Sequence, residues 1–61
     1  MIQVLIADDS ELMRTLLRDL LALDKDINIV AEACDGRKAV QLVKQLRPDL
    51  VIMDVLMPEM N

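Results

Sequence analysis

No Phe, Tyr, Trp or His occurs in this sequence, and Cys and Gly occur once each. Without His, a single Cys cannot complete a zinc site, and it cannot form a disulfide framework within one chain. The lone Gly36 excludes a P-loop and a dinucleotide-binding fingerprint, each of which needs several glycines at a strand–helix turn. Charges interrupt every apolar segment, so none approaches the roughly 18 residues of a membrane span. The N-terminus lacks the basic region of a signal peptide and runs at once into Asp8 and Asp9. Eleven acidic against seven basic residues leave a net charge of −4, which speaks against a nucleic-acid-binding surface. A soluble, cytoplasmic protein without membrane contact is expected.

What is present is core-forming material. Hydrophobic residues make up 54% of the 61 positions, which argues against intrinsic disorder. A chain of this length buries only about 60% of its unfolded surface, so a lone core is marginal. With no aromatic anchors that core must pack from Leu, Ile, Val, Ala and five adaptable Met side chains.

Ile2-Gln3-Val4-Leu5-Ile6-Ala7 reads as a strand covered on both faces, ended by two acids. From Ser10 the period becomes helical, with Met13, Leu16, Leu17, Leu20 and Leu21 as the apolar face and Arg14, Arg18 and Asp19 in solvent. Either Asp9 or Ser10 suits the N-cap. The helix should fade near Asp24-Lys25-Asp26. Ile27 to Ala33 alternates, with Ile27, Ile29, Ala31 and Ala33 on one face and Asn28 and Glu32 on the other, which suits an edge strand. Asp35 is a candidate cap for a second helix that presents Ala39, Leu42, Val43 and Leu46, and Pro48 should end it. Leu50-Val51-Ile52-Met53 is a third, fully apolar strand, closed by Asp54; a loop through Pro58 follows. Met13 and Met53 are expected in the core, and Cys34 as a partly buried filler. Strand–helix alternation with short connections gives an α/β fold with right-handed crossovers. The expected architecture is a three-stranded parallel sheet, β-α-β-α-β, in the order 2-1-3.

In an open parallel sheet, ligands bind beyond the carboxyl ends of the strands. There the first strand ends in Asp8-Asp9 and the third in Asp54, with no Lys or Arg at a strand end to neutralise them. Carboxylates held together raise a pKa or recruit a cation, and oxygen-only donors suit Mg²⁺ or Mn²⁺. A carboxylate beside such a metal can act as a nucleophile toward phosphorus. The plainer alternative is that each Asp is a turn former or helix cap, which would account for Asp9 alone.

Val4-Leu5-Ile6-Ala7-Asp8-Asp9-Ser10 followed by Met13-Arg14, and Asp54-Val55-Leu56-Met57-Pro58-Glu59-Met60-Asn61, resemble two signatures of the response-regulator receiver domain. Ala33-Cys34-Asp35-Gly36 followed by Ala39-Val40 resembles the family's entry to its second helix. The flavour is closest to receivers attached to the chemotaxis methylesterase. The resemblance implies a flavodoxin-like fold and a phosphoacceptor at Asp54, charged by a sensor histidine kinase or a small phosphodonor. It implies Mg²⁺ held by Asp8, Asp9, Asp54 and the backbone carbonyl of Leu56, with Asp9 the more direct ligand and Asp8 acting through water.

Residues 1–61 match the first two βα units and the third strand of that fold, so a truncated receiver domain is expected. A Ser or Thr at the end of a fourth strand and a Lys at the end of a fifth have no counterpart, and Lys25, Lys38 and Lys44 are not at strand ends. Two functions stand side by side. One is a two-component signalling receiver that accepts a phosphoryl group without being an enzyme in its own right. The other is a half-domain with weak or absent Mg²⁺ binding and little phosphotransfer. It would pair its exposed third strand, Leu50 to Met53, with that of a second copy and complete the sheet by homodimerisation. An acid-nucleophile phosphatase fits less well, because Asp54-Val55-Leu56 lacks that group's second acid.

Overall fold

The computed structural model describes residues 1–53 of the chain. Its elements are β1 (Ile2–Ala7), α1 (Glu11–Leu21), β2 (Ile27–Ala33), α2 (Gly36–Leu46) and β3 (Leu50–Met53). The three strands form one parallel sheet in the order β2-β1-β3, as the apolar pattern predicts. β1 lies in the centre, where its apolar run Val4 to Ala7 is covered on both faces, and the alternating β2 takes an edge. Val4, Leu5, Ile6 and Ala7 are all buried, and Leu5 and Ile6 are 0% exposed.

Both helices start where a side-chain oxygen meets an orphan amide. Ser10 caps α1, its Oγ accepting from the Met13 amide at 3.2 Å. Asp35 caps α2, its Oδ1 accepting from the Lys38 amide at 2.7 Å. α1 ends at Leu21, where a run of turns leads to β2 and the Asp26 amide donates to Asp24 Oδ1 at 2.9 Å. α2 ends because Pro48 disfavours a right-handed helical residue before it. Arg47 sits instead in the left-handed region, at φ 47°, and its amide donates back to the Val43 carbonyl at 2.8 Å. Asp49 then fastens β3 to β1 twice. Its amide donates to the Gln3 carbonyl, and its Oδ2 accepts from the Gln3 amide, both at 2.8 Å.

The core on the α2 side gathers Leu5, Ala7, Ala33 and Ala39, with Ala31, Leu42, Val43 and Val51 packed against it. Leu46, expected on this face, is instead 41% exposed at the helix end. The alternation expected through β2 is also interrupted. Val4 pairs with Ile29 and Leu5 with Ala31, so the register steps over Val30. Such an extra residue breaks the two-residue period of the strand.

The phase of α1 differs from the expected one. Its partly buried residues are Arg14, Thr15, Leu17 and Leu21, whereas Met13, Leu16 and Leu20 of the expected face are exposed. Arg14 is therefore not in solvent: its side chain is 16% exposed, against 50% for Arg18. The reason is electrostatic as well as steric. Glu32 on β2 receives Arg14 Nε at 3.4 Å and Arg18 Nη1 at 2.8 Å, which rolls α1 toward its basic edge. Met53 at the end of β3 is also exposed rather than in the core, and Cys34 is exposed rather than a partly buried filler.

Candidate functional site

The carboxyl end of β1 is where the expected chemistry begins. Pairing with β2 continues one residue past the strand, the Asp8 amide donating to the Ala33 carbonyl at 3.0 Å. Asp8 is the one charged residue among the buried ones described, at 8% exposure. Its Oδ1 accepts from the Ser10 amide at 2.9 Å, an Asx turn that reverses the chain into α1. Asp9, between them, is exposed at the rim. The carbonyl of Asp8 accepts from Arg14 Nη1 at 2.5 Å. Thus the two acids occupy a short loop fixed at its amide, its carbonyl and one carboxylate oxygen, while the Asp9 carboxylate faces outward.

On the other flank, β3 runs parallel to β1 with Ala7 opposite Met53. In the sequence Asp8 follows Ala7 and Asp54 follows Met53. Asp54 and Leu56, the remaining expected members of the site, lie outside the described residues. Among the described residues no three metal-ligating side chains come together. Asp8 and Asp9 are brought to one rim.

The donors present suit a hard divalent cation. A nearly buried carboxylate is costly unless compensated, and Asp8 has an amide on one oxygen. The adjacent Asp9 adds exposed oxygens, and an oxygen-only set with room for water fits Mg²⁺ rather than zinc.

A family model, the response regulator receiver domain, matches residues 4–61. The chain belongs to that family. As a receiver of the response-regulator type it is a signal-transduction module. Its curated relatives include a protein-glutamate methylesterase/protein-glutamine glutaminase from Nocardioides sp., 57% identical over 60 residues, which are 98% of this chain and 16% of that protein. One of the same name from Methanococcus maripaludis is 53% identical, again over 98% of this chain and 16% of its own length. Among solved structures, the response regulator domain of Thermotoga maritima CheB superposes with a TM-score of 0.92 at 42% identity. The match covers 98% of this chain and 45% of that one. The receiver domain of the response regulator NarL from Mycobacterium tuberculosis gives 0.91 at 36% identity, covering 95% and 47%. The chain therefore spans about one sixth of the curated relatives and just under half of the solved receivers. The methylesterase flavour of the sequence agrees with these relatives.

Receivers in general bind Mg²⁺ and interact with histidine kinases. Among the described residues no helix is long and apolar enough to cross a membrane. The role of Arg14 was not legible in the helical pattern, which put it in solvent. The signal available was Glu32, the one acid in the otherwise uncharged run Ile27 to Ala33.

Proposed function

We propose that this chain carries the phosphoryl-accepting centre of its receiver. Asp54 is the acceptor, and Asp8, Asp9, Asp54 and the Leu56 carbonyl hold Mg²⁺. The observation that supports this most is the β1–β3 register. Ala7 is paired with Met53, and Asp8 and Asp54 each follow by one peptide link, about 3.8 Å between Cα atoms. Two acids that come next in sequence after paired residues of adjacent parallel strands suit a shared cation.

An Asp54 carboxylate oxygen attacks phosphorus as the P–N bond of a phosphohistidine breaks. That bond's electron pair stays on the ring nitrogen, which takes a proton from water, and an acyl phosphate remains on Asp54. With a small acyl phosphate as donor, the P–O bond breaks and the carboxylate leaves. Mg²⁺, when bound, neutralises charge on the transferring oxygens and on Asp54. Asp9 supplies an exposed oxygen ligand, and Asp8, held by Ser10, acts largely through water. The donor in the cell is a sensor histidine kinase and the compartment is the cytoplasm, where ATP charges such kinases. In the relatives the named activity is that of a methylesterase or glutaminase, which makes an esterase or amidase the natural output for such a receiver to govern.

The test is incubation with acetyl phosphate and Mg²⁺, read by intact mass. A phosphoryl adduct that vanishes in Asp54→Asn and with EDTA supports the reading. An adduct that persists in Asp54→Asn contradicts it.

A second reading rests on the far edge of β3. Among the described residues β3 has one neighbour, β1, and Leu50 is 52% exposed. Beside it an open apolar groove of about 230 Å³ lies between α2 and β3, lined by Ala39, Val40, Val43, Lys44, Val51 and Met53. In the 61-residue chain, a second copy pairing β3 with β3 about a two-fold axis would cover this edge. Sedimentation velocity decides: a concentration-dependent dimer supports it, and a folded monomer at all concentrations contradicts it.

A further inference from the structure

Arg14 touches two things that no other side chain described here joins. Its Nη1 donates to the Asp8 carbonyl at 2.5 Å, and its Nε faces Glu32 Oε1 at 3.4 Å. The Asp8 carbonyl belongs to the peptide linking Asp8 to Asp9, so the guanidinium fixes the plane from which the Asp9 side chain departs. The planar fork of Arg suits such a double contact, whereas the point charge of Lys does not. Glu32 holds the fork in turn, and it is anchored on β2 beside Ala33, whose carbonyl receives the Asp8 amide at 3.0 Å. Both sides of the acidic residue are thereby tied to β2, one directly and one through Arg14. Arg18 also meets Glu32 but makes no contact with the loop.

We propose that Arg14, held by Glu32, is a positioning residue that sets the Asp8–Asp9 peptide and so aims the Asp9 carboxylate at a divalent cation. The inference rests on the reading of that loop as the Mg²⁺ site. It also has a consequence that charge alone would reverse. Removing a cation near an acidic pair should raise Mg²⁺ affinity by Coulomb's law. Removing a residue that orients a metal ligand lowers it, commonly ten-fold or more. In this chain orientation outweighs charge.

The experiment is NMR on the isotope-labelled 61-residue chain, for wild type, Arg14→Gln, Glu32→Gln and Arg18→Gln. Two signals are read without metal: the Asp8 carbonyl carbon shift and hydrogen exchange at the Ser10 amide. Amide shifts are then followed during MgCl₂ titration. For Arg14→Gln the expected result is a moved Asp8 carbonyl signal, faster Ser10 exchange than lost stability explains, and a Mg²⁺ midpoint raised about ten-fold. Glu32→Gln should change the same signals in the same direction, and Arg18→Gln should leave them in place. An unchanged midpoint, with exchange accelerated evenly along the chain, would make Arg14 a helix-to-sheet tie and overturn the proposal. A lower midpoint would make it an opposing charge and also overturn it. If Mg²⁺ shifts no wild-type amide, the cation reading fails by itself. The positioning claim is then decided by the two metal-free signals, which overturn it if they do not move.

Discussion

The two flanks of β1 are built differently. On the β2 flank the ladder runs the length of β1, both helices pack over the strand pair, and Arg14, Arg18 and Glu32 bind α1 to the sheet. On the β3 flank the pairing covers Val4 to Ala7, the strand has four residues, and Leu50 and Met53 stay exposed. Among the described residues the same chemistry, a run of aliphatic side chains, is thus paired over more of its length on the β2 side than on the β3 side. The loop that would hold a cation follows β1 and is tied to the β2 flank. Asp8 is therefore held by β2 through its amide and by α1 through its carbonyl, while the edge of β3 that has no neighbour among the described residues lies across the sheet. The acidic loop and the β3 edge are therefore separate features of the described fold.

The largest effect should come from the shared centre. Leu5→Ala removes a fully enclosed side chain beneath α2 and should cost about 3 kcal/mol, enough to unfold so small a body. Urea titration followed by circular dichroism reads this. The same change at Leu50 should cost under about 1 kcal/mol, because half of that side chain is already in water; equal losses would erase the contrast between centre and edge. If the chain self-associates through β3, Leu50→Lys should weaken that association at least ten-fold in sedimentation while leaving the far-UV spectrum unchanged. Dimers of undiminished strength would remove β3 as the contact. Asp35→Ala should cost about 1 kcal/mol through the lost cap on the Lys38 amide, measured in the same titration. The smallest effect is expected from Arg18→Ala, below about 0.5 kcal/mol, since its pair with Glu32 is half exposed. A loss larger than that of Asp35→Ala would mean that Arg18, not Arg14, carries the tie between α1 and β2.

Much of this was legible in the chain. β1 and β3 fall where apolar runs end in acids and β2 where apolar and polar residues alternate, and the sheet order follows because an alternating strand suits an edge. Asp35 and Ser10 are caps by residue type and place. Phase was harder. Leu12, Met13, Leu16, Leu17, Leu20 and Leu21 form two parallel rows four residues apart, so periodicity alone does not say which row meets the sheet. The Leu17–Leu21 row does, because Arg14 on its side finds Glu32 and the Asp8 carbonyl, and Leu12, Leu16 and Leu20 are left exposed. The step past Val30 was equally hidden, since a bulge needs a partner strand to be defined and the local sequence shows only continuous apolar character. At the site, Asp8 and Asp9 could be read directly from the end of the first run. The Arg14 contact could not, because it joins residues from a loop, a helix and the neighbouring strand.

The most direct test of the acidic rim as a divalent-cation site is a Mg²⁺ titration of backbone amides in wild type and Asp9→Asn. The expected result is weak, saturable shifts confined to residues 8–10 and 54–57 in wild type and lost in the variant. Shifts that never saturate, or that are the same in Asp9→Asn, would contradict it.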